Sequence, residues 1–231
     1  MKISGWEKLS LVDFDDYVCT TVFCASCNMR CPFCHNAFLV LGASSAPSIP
    51  YEEVRSYLSK RKGILEGVCI SGGEPTLSPD LPSVLKDIKS LGYKIKLDTN
   101  GYRPDVIKEC IDSGLVDYFA MDIKNSPSLY GKTAGIADLD MSRIENSVNL
   151  IMRCGIEYEF RTTIIKEFHD ARSIGEAAML IKGAKKYFLQ MYIDRDGCIE
   201  HGFHAFSKEE AEELRIEASK HVEKAYLRNY D

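Results

Sequence analysis

Short runs of β-branched and aromatic residues alternate along this chain with longer stretches in which apolar residues recur at helical spacing. The runs repeat at intervals of roughly 25 to 30 residues, which is the rhythm of βα units built around a parallel sheet. The pattern predicts strands over residues 17–23, 67–71, 93–98, 116–121, 157–162 and 186–193. We therefore expect an α/β fold in which an amphipathic helix follows each strand.

The helical stretches have one apolar face each, as expected for helices that pack on a sheet. A final helix begins at Ser207, where Ser207 and Glu210 have the spacing of a capping box. The short run 225–227 predicts a last strand. The apolar faces comprise Leu81, Val84, Leu85, Ile88 and Leu91 in one helix, Met141, Ile144, Val148 and Ile151 in another, and Ala211, Leu214 and Ala218 in the last.

Polar and glycine-rich segments come directly after the predicted strands. In a βα barrel the carboxyl ends of the strands meet on one face, where such folds build their active sites. The sequence thus predicts a site on that face of a partial, open barrel of about six βα units. The segments are CNMRCPFCHN (27–36), Gly72-Gly73-Glu74-Pro75, Asp98-Thr99-Asn100, Asp122-Ile123-Lys124, Arg161-Thr162-Thr163 and Asp194-Arg195-Asp196.

Composition narrows the class of protein. The chain has 231 residues, 45% hydrophobic and 27% charged, which is enough for one domain over residues 1–231. The net charge of -5 and the lack of a Lys/Arg block argue against binding to nucleic acid or to a membrane surface. No leader sequence and no apolar run of about 20 residues is found, so we expect a cytoplasmic protein.

Three of the nine cysteines, Cys27, Cys31 and Cys34, lie close together with gaps of three and two residues. Clustered cysteines in a reducing compartment favour metal binding over disulfides. A 4Fe-4S cluster normally takes four thiolates, so three leave one iron free for a substrate or cofactor. The remaining cysteines are scattered and are expected to be small apolar residues, with Cys24 at the end of the first predicted strand.

The cysteine loop, followed by SGGEP, LDTNG and MDIK, resembles the radical S-adenosylmethionine (SAM) enzymes, and specifically their small activating-enzyme branch. The most similar family is that of the anaerobic ribonucleoside-triphosphate reductase activating proteins, and the pyruvate formate-lyase activating enzymes are more distant. The resemblance covers almost the whole chain. It implies that the unique iron binds the methionine part of SAM, which one electron cleaves to a 5′-deoxyadenosyl radical.

The resemblance also implies roles for individual residues. Cys27, Cys31 and Cys34 would hold the cluster, and Phe33 would lie against the adenine. Gly72 and Gly73 would let the backbone approach the SAM ammonium, and Glu74 would add a hydrogen bond there. Asp98 and Asp122 would lie near this ammonium or a monovalent cation. Lys124 would face the SAM carboxylate, Arg161 the ribose or carboxylate, and Asn36 the nucleoside.

By this resemblance the protein is an oxidoreductase that removes a Cα hydrogen from a glycine of a partner glycyl radical enzyme. The expected partner is an anaerobic ribonucleotide reductase, and a flavodoxin or ferredoxin would donate the electron. A different glycyl radical enzyme is one alternative. Another is a small-molecule reaction like that of 7-carboxy-7-deazaguanine synthase, for which further polar residues would line the barrel.

A third alternative is a non-catalytic metal site, because Cys24 and Cys27 have the CxxC spacing of a zinc knuckle. That hypothesis leaves the GGEP, LDTNG and DIK segments unexplained. His35 adjoins the cysteine loop and is expected to lie at the surface or behind the ligands. His169, His201, His204 and His221 show no ligand spacing and are expected to be ordinary, and 194–196 is expected to be a solvated loop.

Overall fold

The computed structural model describes residues 1–230, and its centre is one eight-stranded sheet in which the strands follow one another in chain order. Strand β1 is antiparallel to β2, and every later strand is parallel to its neighbour. The first and last strands are not paired with each other, so the barrel is open. The strands are β1 (Ile3–Ser10), β2 (Cys19–Cys24), β3 (Gly67–Gly72), β4 (Lys94–Thr99), β5 (Tyr118–Asp122), β6 (Glu157–Ile164), β7 (Tyr187–Met191) and β8 (Ala225–Arg228).

At least one helix follows each strand from β2 to β7, which gives six βα units. The capping box expected for the last helix is present, since the Ser207 hydroxyl accepts the N–H of Glu210 and the Glu210 carboxylate accepts the N–H of Ser207. The α-helices are α1 (Ala37–Leu41), α2 (Tyr51–Lys60), α3 (Leu81–Ser90), α4 (Pro104–Asp112), α5 (Tyr130–Ala134), α6 (Met141–Arg153), α7 (Ala171–Leu180) and α8 (Lys208–Ala218).

The helices cover the sheet and bury the central strands almost completely. In β3 the first four residues are buried, and in β5 the same holds. Strands that are covered in this way carry continuous apolar runs rather than an alternating pattern. One hydrophobic core extends from Ile3 to Tyr230. Within residues 1–230, no helix combines the length and the apolar character that crossing a bilayer requires.

The α/β fold, the open barrel and the six βα units predicted from the sequence are confirmed. The predicted strands correspond to β2–β7 and the last run to β8, with bounds that differ by no more than two residues. Strand β1 was not predicted. It is an edge strand whose residues Glu7, Lys8 and Leu9 are exposed in succession, so it shows neither an apolar run nor clear alternation.

Candidate active site

A cavity of about 550 Å³ opens at the carboxyl ends of the strands. This is the face on which barrel folds carry their active sites, and the volume is within the range of small-molecule sites. All the site residues proposed from the sequence line this one cavity. They are Cys27, Cys31, Phe33, Cys34, Asn36, Gly72, Gly73, Glu74, Asp98, Asp122, Lys124 and Arg161.

The cysteine loop that follows β2 is held in place by backbone hydrogen bonds to three distant segments. The N–H of Glu74 donates to the carbonyl of Ser26 at 2.8 Å, and the N–H of Arg30 donates to the carbonyl of Ala134 in α5 at 2.8 Å. From the loop after β7, the N–H of Ile199 donates to the carbonyl of Cys34 at 3.1 Å. The rest of the fold therefore fixes the path of the loop between its cysteines.

The three cysteine thiols face a largely buried environment, and burial raises the pKa of each of them, that of Cys27 to about 12. Metal binding at these thiols must therefore release protons. Within residues 1–230, no group of three or more His, Cys, Asp or Glu residues could hold a single metal ion. A tetrahedral zinc site needs four ligands around one ion, whereas an iron–sulfur cluster distributes its thiolates over different irons. Cys24 is buried at the end of β2 and is absent from the cavity lining, so the described residues form no four-thiol zinc knuckle.

Gly72 and Gly73 allow the loop after β3 to pack against the cysteine loop. Gly72 has φ +113°, and a Cβ there would overlap the backbone of Cys24. A Cβ on Gly73 would overlap the carbonyl oxygen of Ser26. The N–H of Gly73 also donates to the carbonyl of Cys24 at 2.8 Å. Both positions therefore require glycine for the contact between two protein loops, before any ligand is considered.

The carboxylate of Glu74 is buried and is already bound by protein donors. Oε1 accepts from the backbone and hydroxyl of Thr76 and, at 2.8 Å, from the hydroxyl of Thr99. Oε2 accepts from the N–H of Asn100 at 2.7 Å. Burial raises the pKa of Glu74 despite these donors. Glu74 therefore joins the ends of β3 and β4, and its hydrogen bond to the SAM ammonium stays a prediction.

Four charged side chains form a network on the cavity wall. Arg161 donates to Asp98 Oδ2 at 3.2 Å and to Asp122 Oδ1 at 3.0 Å, and Lys124 Nζ donates to Asp122 Oδ2 at 2.9 Å. Burial alone would raise the pKa of Asp122, but the charges of Lys124 and Arg161 outweigh it and bring this pKa to about 2. The charges of Arg161 and Lys96 likewise lower the pKa of Asp98 despite its burial, so both aspartates are ionised at neutral pH.

One oxygen of this network has no hydrogen-bond partner. Asp98 Oδ1 is buried and accepts no hydrogen bond from the residues between 1 and 230, and the Lys96 ammonium lies 3.5 Å away. The charge of Lys96 compensates this oxygen in place of a hydrogen bond. The three thiols and the ionised carboxylates of Asp98 and Asp122 line the same cavity, and this donor set fits a cluster and a cationic cofactor such as SAM.

Phe33 and Asn36 lie on the side of the cavity formed by the cysteine loop. The ring of Phe33 is buried and packs at 5.7 Å from that of Phe168. Asn36 Nδ2 donates to the carbonyl of Gly72 at 3.2 Å and so connects the cysteine loop to the GGEP segment. His35 is exposed, lines the cavity and stacks on Tyr192 with ring centroids 5.7 Å apart.

Among the residues near the site that the sequence did not single out are two polar side chains, those of His169 and Asn100. His169, expected to be ordinary, is buried, with Nδ1 accepting the N–H of Ile165 at 3.1 Å and Nε2 lying 2.9 Å from the carbonyl of Lys124. It therefore fixes the backbone that carries Lys124. The side chain of Asn100 lies 3.7 Å from Cys27 Sγ. Both residues follow a strand, and this position is the signal by which the other site residues were found.

The segment 194–196 is exposed, as expected, although Arg195 lines the cavity. Asp194 faces away from Arg195 and accepts from the N–H of Gly202 at 3.1 Å, with His201 Nδ1 at 2.8 Å from its carboxylate. This segment therefore contributes one cation to the rim of the cavity.

Several known proteins are similar to this chain. A protein of Methanocaldococcus jannaschii, provisionally named glycyl-radical enzyme activating enzyme MJ1227, is 30% identical over 84% of this chain and 81% of its own length. The 7-carboxy-7-deazaguanine synthase of Haemophilus influenzae is 36% identical, but over only 33% of each chain. The solved structure of Streptococcus suis SuiB bound to precursor peptide SuiA has the same fold, with a TM-score of 0.71 and 15% identity over 90% of this chain and 48% of that one.

The family model described as "Radical SAM superfamily" matches residues 21–174. The match contains the cysteine loop, the GGEP segment and the charged residues of β4, β5 and β6, and it covers more than half of the chain. Enzymes of this superfamily use a 4Fe-4S cluster and SAM, which are the cofactors that the thiols and the buried charges of the cavity fit. The chain belongs to the radical SAM superfamily.

Proposed function

We propose that this protein is a radical SAM activase, which cleaves SAM reductively and installs a glycyl radical on a partner enzyme. The observation that carries the proposal is the single cavity, in which three clustered thiols face a buried network of carboxylates and cations. The similarity to a glycyl-radical enzyme activating enzyme over most of both chains selects the activase among radical SAM reactions.

In this proposal Cys27, Cys31 and Cys34 hold the 4Fe-4S cluster. SAM carries an ammonium, a sulfonium and a carboxylate, so it needs both negative and positive partners. Asp98 and Asp122 supply the carboxylates for the ammonium or for a monovalent cation. The cations of Lys124 and Arg161 balance these charges and face the carboxylate and ribose, while Phe33 and Asn36 face the nucleoside.

A bound cluster would supply the single electron that reductive cleavage of SAM requires, and the cleaved SAM would supply the radical that accepts the hydrogen atom of a glycine Cα. The chain itself binds, orients and shields. Phe33 and Met29 are buried apolar side chains on the cavity wall and exclude water from the reacting atoms. The paired charges of Asp122 and Lys124 are fixed before SAM arrives, so little reorganisation accompanies binding.

The structure and the relatives favour a protein substrate over a small molecule. The barrel is open between β1 and β8, which leaves a side through which a peptide loop can enter. Further polar residues do lie inside the barrel, as a small-molecule enzyme would require, but Glu159 and Arg228 are already paired with each other at 3.0 Å. The deazaguanine synthase similarity also covers a much smaller part of the chain.

The target within this proposal is an anaerobic ribonucleotide reductase, on the basis of the cysteine loop, SGGEP, LDTNG and MDIK motifs. A flavodoxin or ferredoxin would donate the electron, and the cytoplasm is the reducing compartment that suits both partners. A different glycyl radical enzyme is the alternative target that a negative result with the reductase would favour.

The test is anaerobic electron paramagnetic resonance on the cluster-loaded, reduced protein mixed with SAM and the host's anaerobic ribonucleotide reductase. We expect a glycyl radical doublet on the reductase and an equivalent of 5′-deoxyadenosine. A reductase in which the reactive glycine is replaced by alanine is the matched control and should give no doublet. SAM cleavage without a doublet would contradict the proposed target, and no SAM cleavage would contradict the activase itself.

A further inference from the structure

Asn100, the residue after β4, connects the three segments that build the site. Its backbone N–H donates to Glu74, and its side-chain Oδ1 accepts the N–H of Tyr102 at 3.0 Å. Its Nδ2 donates to Asn28 Oδ1 at 2.8 Å and lies 3.7 Å from Cys27 Sγ, within hydrogen-bonding range of sulfur. The residue is buried, with 5% of its surface exposed.

The partners of the amide fix its orientation. An asparagine amide has two N–H groups and one carbonyl. The side-chain carbonyl of Asn100 accepts the N–H of Tyr102, and one of its amide N–H groups donates to Asn28 Oδ1. The second amide N–H is therefore the one that can reach Cys27 Sγ. The backbone N–H of Met29 also points at this sulfur, at 3.4 Å. Within residues 1–230, no other side-chain N–H donates to a sulfur of Cys27, Cys31 or Cys34.

We propose that Asn100 is a positioning residue that sets the reduction potential of the cluster through its N–H···S contact with Cys27. The inference rests on the cluster-binding part of the proposed function and is independent of the target enzyme. Reduction adds one electron, and hence one negative charge, to the cluster and its thiolates. A donor to a ligating sulfur stabilises that added charge, so it makes the cluster easier to reduce.

Because the amide is held from three sides, its N–H cannot turn away when the charge on the sulfur changes. The contact is therefore present in both redox states. It stabilises the reduced cluster more than the oxidised one, so it makes the midpoint potential less negative. Contacts from Glu74 to Asn100 and from Asn100 to Cys27 connect the GGEP and DTNG segments to this cysteine. The sequence motif DTNG thus includes a residue that acts on the cluster rather than on SAM.

The experiment is a redox titration of the anaerobically reconstituted full-length protein, without SAM and without a partner, followed by electron paramagnetic resonance. Asn100→Leu removes the donor at nearly constant volume, so we expect a shift to a more negative midpoint potential. Asn100→Asp removes the donor and adds a negative charge, so its shift should be larger. Asn28→Leu frees the amide to rotate and should shift the potential in the same direction by less.

The matched control is Asn125→Ala, which removes another buried asparagine whose amide contacts Thr133 and the carbonyl of Phe168 but no cysteine. Its midpoint potential should equal that of the wild type. Asn100→Leu protein with full iron and sulfide content and the wild-type potential would overturn the inference. If Asn100→Leu does not retain the cluster, unchanged potentials in both Asn100→Asp and Asn28→Leu would overturn it.

This outcome is separable from that of the proposed function. A shifted potential without a glycyl radical on any tested partner would leave Asn100 in its role and remove the activase. If the protein forms a glycyl radical but its midpoint potential is unchanged by substitution of Asn100, the activase function stands and the role of Asn100 is removed.

Discussion

The two ends of the barrel interior are built from the same kinds of residue, but they differ in what remains unsatisfied. On β6, Glu159 and Arg161 are two residues apart and therefore point to the same face of the strand. At the base of the barrel, both oxygens of Glu159 accept from Arg228 at 3.0 Å, and Oε2 also accepts from Tyr118 at 3.2 Å. Glu159 is 1% exposed, so nothing further can bind there.

At the carboxyl end the same type of ion pair is left incomplete. Asp98 Oδ1 accepts no hydrogen bond from residues 1–230 and has only the Lys96 ammonium at 3.5 Å, and the side chain of Asp122 is 30% exposed. Buried ion pairs are poor evidence for function, because many serve only the fold. A structural ion pair therefore differs from one that is available to a ligand in how many of its carboxylate oxygens already accept hydrogen bonds from the protein, and not in residue type.

The largest expected effect is the loss of iron binding on substitution of a cysteine, because the thiols are present at the carboxyl end of the barrel and not at its base. Cys31→Ala removes one cluster ligand, so iron binding and 5′-deoxyadenosine formation should both be abolished. Cys24→Ala is the control, since Cys24 does not line the cavity, and it should retain the cluster. Iron analysis and product quantification check both variants. Full SAM cleavage by Cys31→Ala would contradict the ligand assignment.

The next largest effect is a loss of stability, and it concerns the ion pair at the base of the barrel. Arg228→Met leaves the buried charge of Glu159 without its bidentate partner, which should lower the free energy of unfolding by about 3–5 kcal/mol. Urea unfolding measures this loss. The KM for SAM of the folded fraction should be unchanged because Arg228 does not line the cavity. A raised KM with no loss of stability would reverse the assignment of the two ends.

Asp98→Asn should differ from Arg228→Met by weakening the binding of SAM. The substitution keeps the volume and removes the charge, so a charge-assisted hydrogen bond to SAM worth about 1.5–3 kcal/mol is lost. We expect the KM for SAM to rise by roughly 10- to 100-fold. Isothermal titration with SAM on the cluster-loaded protein would check the binding directly. Unchanged SAM affinity would move Asp98 into the structural class with Glu159.

The smallest effect concerns His169, which supports the carboxyl end from outside the cavity. Burial lowers its pKa below the ordinary value of 6.5. The unfolded chain therefore binds this proton first as the pH falls below about 6.5, so the stability that the neutral ring contributes is present above that pH and is lost below it. Unfolding of the wild type and His169→Gln should differ most near pH 7.

The other titrating groups are common to both proteins, so the difference between their free energies of unfolding isolates His169. We expect this difference to narrow as the pH falls from 7 towards 5. A constant difference over that interval would contradict the role of the neutral ring.

The sequence predicted the strands that carry buried apolar runs, and it located the site because polar segments follow those strands. It did not predict the partners of Glu74, since Thr99 and Asn100 are more than 20 residues away and contact it only after β3 and β4 have paired. His169 was missed for the same reason, because its contact with Lys124 joins two loops 45 residues apart. Local patterns reveal which elements form, whereas contacts between loops depend on the assembled sheet.

If the cavity at the carboxyl end binds a cluster and SAM, the reduced protein should cleave SAM. The measurement to make is the amount of 5′-deoxyadenosine formed by the anaerobically reconstituted wild-type protein after chemical reduction in the presence of SAM. We expect product in proportion to the cluster content. A protein with full iron and sulfide content, reduced as judged by its spectrum, that forms no 5′-deoxyadenosine would contradict it.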